Sequence, residues 1–144
     1  MLGDPYSQYR RMQAETAEPG ELVVMLYQGA INFVQRSLLA MEQKDYRAAN
    51  DNLLRAQAIL AELNATLNRS VGDVAVNLAR IYDYAYWRLV EANCHKDPAP
   101  AQEVLTILKE LLSAWQEAVR IARRDKKQVP QPVVQPVLVG GSLR

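Results

Sequence analysis

The sequence has almost no net charge, because its 17 Lys and Arg residues are nearly balanced by 16 Asp and Glu residues, for a formal charge of +1. Proteins that bind nucleic acid usually carry a markedly basic domain or face. The composition therefore argues against a nucleic-acid-binding protein. With 144 residues and 49% hydrophobic positions, the chain has the length and apolar content of one globular domain with a single core.

Cysteine and histidine are nearly absent, since Cys94 and His95 are the only residues of their kinds. A single cysteine forms no intrachain disulfide, and one Cys and one His do not make a zinc site. Successive helical residues diverge by about 100°, so the two side chains are poorly placed to act as nucleophile and base. The sequence also has no Gly-rich phosphate loop, nucleophile elbow or dinucleotide fingerprint. We therefore expect no enzymatic activity, no cofactor and no metal.

Long apolar runs are missing as well. The chain is uncharged from Leu22 to Gln35, but Gln28 and Asn32 interrupt this stretch, and a membrane-spanning helix needs about 20 apolar residues. The first residues lack the basic and apolar regions of a secretory signal. These features predict a cytoplasmic protein that does not insert into a membrane.

Proline and glycine are few and clustered, and they separate four stretches with helical periodicity at about 19–43, 46–69, 74–95 and 100–127. Short turns join these stretches, with Asp45 and Asp73 available as N-caps. The second stretch repeats apolar residues every three or four positions, at Ala49, Leu53, Ala56, Leu60, Leu63 and Leu67. Four amphipathic helices with short connections predict an all-α fold, an antiparallel up-down four-helix bundle over 19–127.

Two segments fall outside this bundle. We expect residues 1–18 to form a short N-terminal cap segment. Residues 128–144 contain repeated Pro and Val and two Gly, which predicts a flexible tail that is extended or disordered.

The aromatic residues are nearly all amphipathic, with seven Tyr and two Trp beside a single Phe. In the third stretch the expected core stripe consists of Val74, Leu78, Ile81, Tyr82, Ala85, Leu89 and Ala92. A second apolar face consists of Val76, Ala79, Tyr86, Trp87 and Val90, with Tyr84 beside it. Long neighbouring side chains could cover this face, or a partner could bind it; the pattern leaves both interpretations open. The second stretch adds a smaller accessory face of Leu54, Ala58, Ala61 and Ala65.

Three sequence runs carry a resemblance to a known family. They are Leu22-Val-Val-Met-Leu-Tyr-Gln-Gly-Ala30, Ile59-Leu-Ala-Glu-Leu-Asn64 and Asn77-Leu-x-x-Ile-Tyr-Asp-Tyr-x-x-x-Arg-Leu-x-x-Ala-Asn93. Together with Tyr6 and Tyr9, they resemble the FliS family of flagellin secretion chaperones, in unbroken order from about Tyr6 to Ala122. The Pro/Val tail has no counterpart in this resemblance.

The resemblance implies a four-helix bundle in the bacterial cytosol that binds the disordered C-terminal region of flagellin. Such a protein prevents premature polymerisation and supports delivery to the flagellar export apparatus, whose gate components are further candidate partners. The matching positions imply partner contacts at Tyr6, Tyr9, Leu26, Tyr27, Ala30, Tyr82, Tyr84, Ala85 and Arg88, and the additional apolar faces add Ile31 and Tyr86. The free chain is expected to be a monomer or a weak homodimer.

Two functions of other classes remain as alternatives. A phosphotransfer or regulatory module would use His95, although a histidine at the end of a helix more often complements the helix dipole. A self-associating structural bundle would use the second apolar face of the third helix.

Overall fold

The computed structural model describes residues 19–124, which form four α-helices. Their bounds are α1 Pro19–Glu42, α2 Tyr46–Ala65, α3 Asp73–His95 and α4 Pro98–Arg124. Helix α1 packs against α2 and α4, and α3 packs against the same two helices, so α1 and α3 occupy opposite corners. Short connections make successive helices antiparallel. The predicted all-α four-helix bundle is confirmed, whereas the segments 1–18 and 128–144 lie outside the described residues.

The core forms where the apolar stripes of the four helices meet. All six residues of the stripe expected on α2 and the turn after it are buried, at most 3% exposed. The apolar stripe of α4 is only partly buried, because Val104 and Leu108 are fully enclosed while Leu111 and Trp115 pack against the edge of the core. On α3 the expected core residue Val74 is 60% exposed. That assignment was wrong, because the neighbouring Ala75 takes the buried position in the first turn.

The helix ends follow local side-chain chemistry. Helix α2 ends at Ala65 rather than near residue 69, because the Thr66 hydroxyl donates to the Leu63 carbonyl and Asn68 caps a short 3₁₀ turn at Arg69–Val71. Asp73, predicted as an N-cap, is instead the first residue of α3. Gly72 holds the cap position with φ 130°, a conformation that suits glycine.

Asp45 is the N-cap of α2, as predicted, and its carboxylate accepts a hydrogen bond of 3.2 Å from the backbone N–H of Ala48. Replacing Asp45 by Ala removes this acceptor, and we expect the free energy of unfolding to fall by about 1 kcal/mol. Urea denaturation measures the change. Asp45→Asn keeps an acceptor, so its free energy of unfolding should fall by at most a small part of this amount. An equal loss in both variants would contradict the capping role.

Within residues 19–124, none of the helices combines the length and the hydropathy needed to span a bilayer.

Candidate interaction surface

The side of α3 that faces away from the core carries exposed aromatic and aliphatic residues. Trp87 is 56% exposed, Tyr84 48% and Val76 37%, while Tyr86 and Val90 are half-buried. The rings of Tyr86 and Trp87 meet edge to face, with centroids 5.4 Å apart. Val76 and Trp87 are eleven positions apart, close to three helical turns, so they share one stripe. Side chains of the described residues therefore leave much of this second apolar face uncovered.

Helix α2 extends this apolar area. Leu54 is 50% exposed, and Ala58, Ala61 and Ala65 are also exposed. The Asn93 side-chain amide donates to Asn50 Oδ1 over 2.7 Å, which fixes the register of the antiparallel pair. One turn along α2 from Asn50 is Leu54, and the corresponding step back along α3 reaches Val90. We call the combined area the outer face: Leu54, Ala58, Ala61 and Ala65 of α2 with Val76, Tyr84, Tyr86, Trp87 and Val90 of α3.

A polar network borders the outer face on the side of α4. Glu103 of α4 accepts hydrogen bonds of 2.7 Å from Tyr84 Oη and from Arg88 Nε, and Arg88 Nη1 also donates to Glu91 over 2.8 Å. The hydrogen bonds from Tyr84 and then from Arg88 lower the pKa of Glu103. Exposed ion pairs add little stability, so the main effect of the network is to fix the orientation of Tyr84 and Arg88. Sequence reasoning missed Glu103, because no local pattern links it to residues one helix away.

A groove between α3 and α4 lies beside this network. It has a volume of about 370 Å³. Its lining consists of Arg80, Ile81, Tyr84, Ile107, Glu110 and Leu111. Because it is mostly apolar and opens next to Tyr84, it can accept an aliphatic side chain of a bound peptide.

Tyr27 and Tyr82 meet in the centre of the bundle, where α1 and α3 face each other. Their hydroxyl oxygens are 2.5 Å apart, and the side chains are at most 2% exposed. Burial raises the pKa of Tyr27 to about 12 and also raises the pKa of Tyr82. The pair therefore stays protonated at neutral pH and satisfies its own polar atoms.

The residues predicted from the sequence to contact a partner fall into three groups. Tyr84, Tyr86 and Arg88 are exposed or half-buried on α3; Tyr84 and Arg88 meet at Glu103, whereas Tyr86 lies on another side of the helix. A second group has its side chains in the core, namely Leu26, Tyr27, Ala30, Ile31, Tyr82 and Ala85. These six reach a partner only if a helix or a covering segment moves, and their contact with a partner stays a prediction. Tyr6 and Tyr9 lie outside the described residues.

The candidate chemical residues lie at the end of α3 opposite to Val76. Cys94 and His95 are both exposed there, and Lys96 ends the helix in the left-handed conformation, φ 51°. Among residues 19–124, no group of three His, Cys, Asp or Glu side chains is placed to hold a metal ion. We therefore place the candidate interaction surface at the outer face and not at Cys94 and His95.

Comparison with known proteins connects this bundle to one family. Residues 2–122 match the family described as "Flagellar protein FliS". The chain is 38% identical over 125 residues to a Bacillus subtilis protein, covering 87% of this chain and 93% of that protein. It is 35% identical over 104 residues to a Salmonella typhimurium protein, covering 71% of this chain and 77% of that protein. It is 32% identical over 106 residues to a Vibrio cholerae protein, covering 73% of this chain and 78% of that protein. Each of the three is named flagellar secretion chaperone FliS.

Proposed function

Because this chain belongs to the FliS family, we propose that it is a flagellar secretion chaperone that captures the C-terminal segment of flagellin in the bacterial cytosol. Binding prevents premature polymerisation and holds the subunit for the export apparatus, whose gate components are further proposed partners. The observation that carries this proposal is the outer face, with Trp87 and Tyr84 each about half exposed.

An exposed apolar area of this kind supports a binding role. Contiguous apolar patches are uncommon on soluble monomers and often mark interaction sites. Trp and Tyr are the residues most enriched among those that dominate binding energy. On the outer face, Trp87 lies between Leu54 of α2 and the α3/α4 groove. A bound segment that covers either of these two areas would therefore also contact Trp87.

The shape of the face suits a client that folds as it binds. The small side chains of Ala58, Ala61 and Ala65 allow the backbone of a bound helix to come close, and an apolar anchor of the client would enter the groove between α3 and α4. Ordering the client costs on the order of 1–2 kcal/mol per residue, while each fully buried anchor contributes about 1.5–3 kcal/mol. Tight binding therefore needs many anchors, which fits an extended face better than one deep pocket.

Sequestration follows from this binding by mass action. A flagellin segment held on the outer face is unavailable for packing into a filament, so the free monomer concentration falls. No step of this mechanism consumes a cofactor or breaks a covalent bond. In this proposal Tyr84, Tyr86 and Arg88 contact the client directly, and Tyr6 and Tyr9 belong to a segment that covers part of the site.

Calorimetry of the full chain with a peptide of the flagellin C-terminal region tests the proposal. We expect a 1:1 complex with a negative change in heat capacity, because apolar surface is buried on binding. A peptide of equal length from the flagellin N-terminal region is the control. If the C-terminal peptide does not bind at high micromolar concentration, the proposed function is wrong; light scattering that shows only dimers of the chain would favour the self-associating bundle instead.

A further inference from the structure

We propose that the tail segment 129–139 docks in an extended conformation along the outer face on α3 and competes there with the client. The competition rests on the proposed function, whereas the docking itself does not. The family match ends at residue 122, so this segment lies beyond it.

The sequence of the tail suits docking on aromatic side chains. Two Gln-Pro-Val triplets follow each other at residues 131–133 and 135–137, and Val129-Pro130 precedes them. Proline fixes φ near −65° and favours the polyproline II conformation, which has a low entropic cost of binding. Segments of this kind bind grooves lined by aromatic residues. Trp87, with the ring of Tyr86 packed edge to face against it, provides an exposed aromatic surface on α3.

The fold brings the start of the tail to the correct end of α3. Arg123 in the last turn of α4 pairs with Glu21 in the first turn of α1. Because successive helices are antiparallel, the start of α1, the end of α4 and the start of α3 share one end of the bundle. Helix α3 is also a direct neighbour of α4. Val74 and Val76 are exposed in the first turn of α3, at this end of the bundle.

The length of the tail matches the path. Residues 125–128 span about 12 Å when extended, enough to cross the 8–10 Å that separate the axes of packed helices. The segment 129–139 spans about 34 Å in the polyproline II conformation. Helix α3 has 23 residues and is therefore also about 34 Å long. The tail can thus lie along the whole of α3, from Val76 past Trp87 to Cys94.

Charge supports the same path. On the proposed path, residues 125–128 cross from α4 to α3, and they contain Asp125, Lys126 and Lys127, for a net charge of +1. Asp73, the first residue of α3, is exposed at the end of the bundle where they cross. Beyond this point the segment 129–139 carries no charge, so it can pack against Trp87 and Val90 but forms no ion pair with the exposed Arg80 and Asp83, which lie between Val76 and Trp87 on the same stripe.

A docked tail would lower the apparent affinity for the client, because only the fraction of chains with a free outer face can bind it. A tail bound for about 70–90% of the time lowers it roughly three- to ten-fold. The client must then displace the tail, which keeps the face covered when flagellin is scarce.

The single cysteine allows a direct test in the full chain. Cys94 is exposed and lies two turns beyond Trp87 on the same stripe, about 10 Å along the axis. A nitroxide attached to Cys94 should broaden the amide signals of the non-proline residues in 129–139, increasingly toward Val139. The variant Val133→Ser, Val137→Ser, Leu138→Ser should lose this broadening. Equal broadening in both chains, or broadening of residues 1–18 instead of the tail, overturns the proposal.

Two further arms separate the remaining outcomes. In a mixture of nitroxide-labelled chain and unlabelled ¹⁵N-chain, broadening of the ¹⁵N tail would identify a second copy as the occupant and overturn the intramolecular proposal. Addition of the flagellin C-terminal peptide should abolish the broadening, and the Ser variant should bind that peptide roughly three- to ten-fold more tightly. If the tail docks but the peptide binds neither chain, the proposed function fails and the docking stands. If the peptide binds both chains equally, the competition is wrong.

Discussion

The free energy of unfolding is expected to fall by about 3 kcal/mol between roughly pH 9 and pH 12 through Tyr27 of the buried Tyr27–Tyr82 pair. An unfolded tyrosine loses its proton near pH 10, whereas burial raises the pKa of Tyr27 to about 12. In that interval the unfolded chain binds fewer protons than the folded chain, so stability decreases as the pH rises. Each pKa unit corresponds to about 1.4 kcal/mol. Tyr82 also has a raised pKa and steepens the decrease.

The double variant Tyr27→Phe, Tyr82→Phe separates this effect from the other groups that titrate in alkali. Removing both hydroxyls leaves neither of them unpaired, so stability near pH 7 should change little compared with the pH effect. Above about pH 10, the variant should lose less stability than the parent chain. Urea denaturation across the pH range measures both. Tyr46→Phe is the matched control, because Tyr46 is 44% exposed; parallel curves for the parent and the double variant would contradict the assignment.

Replacing Trp87 by Ala is expected to weaken binding of the flagellin C-terminal peptide about 30-fold, which corresponds to roughly 2 kcal/mol. Trp87 has the largest exposed aromatic surface of the outer face, at 56%, and it lies between the α2 side and the α3/α4 groove. A client that covers both sides must bury it. Because the side chain lies outside the core, the free energy of unfolding should change by less than about 1 kcal/mol.

Leu39→Ala is the matched control for this measurement. Leu39 is 54% exposed, but it belongs to α1, at the corner of the bundle opposite α3. Calorimetry should show nearly unchanged affinity for Leu39→Ala. If the two variants lose the same affinity, or if Trp87→Ala binds as the parent chain does, the client does not bind at the outer face.

The positions of the tyrosines show where sequence reasoning reached its limit. The helical period places Tyr82 on the core stripe and Tyr84 and Tyr86 on other sides of α3, and burial in the structure agrees with this. The family resemblance nevertheless groups Tyr27, Tyr82 and Tyr84 as partner contacts, since a motif records which residues occur together and not which are covered. Only the packing of α1 against its neighbours reveals that Tyr27 and Tyr82 bond to each other.

The sequence by itself determined the four helices, the all-α bundle and the second apolar face of α3, because these depend on spacing within one helix and on residues within a few positions of each turn. The tertiary structure decided which side chains are accessible. It placed Glu103 against Tyr84 and Arg88, joined Leu54 of α2 to the face of α3, and brought the end of α4 to the start of α3. These contacts depend on which helices are neighbours and on their register, and local periodicity contains neither.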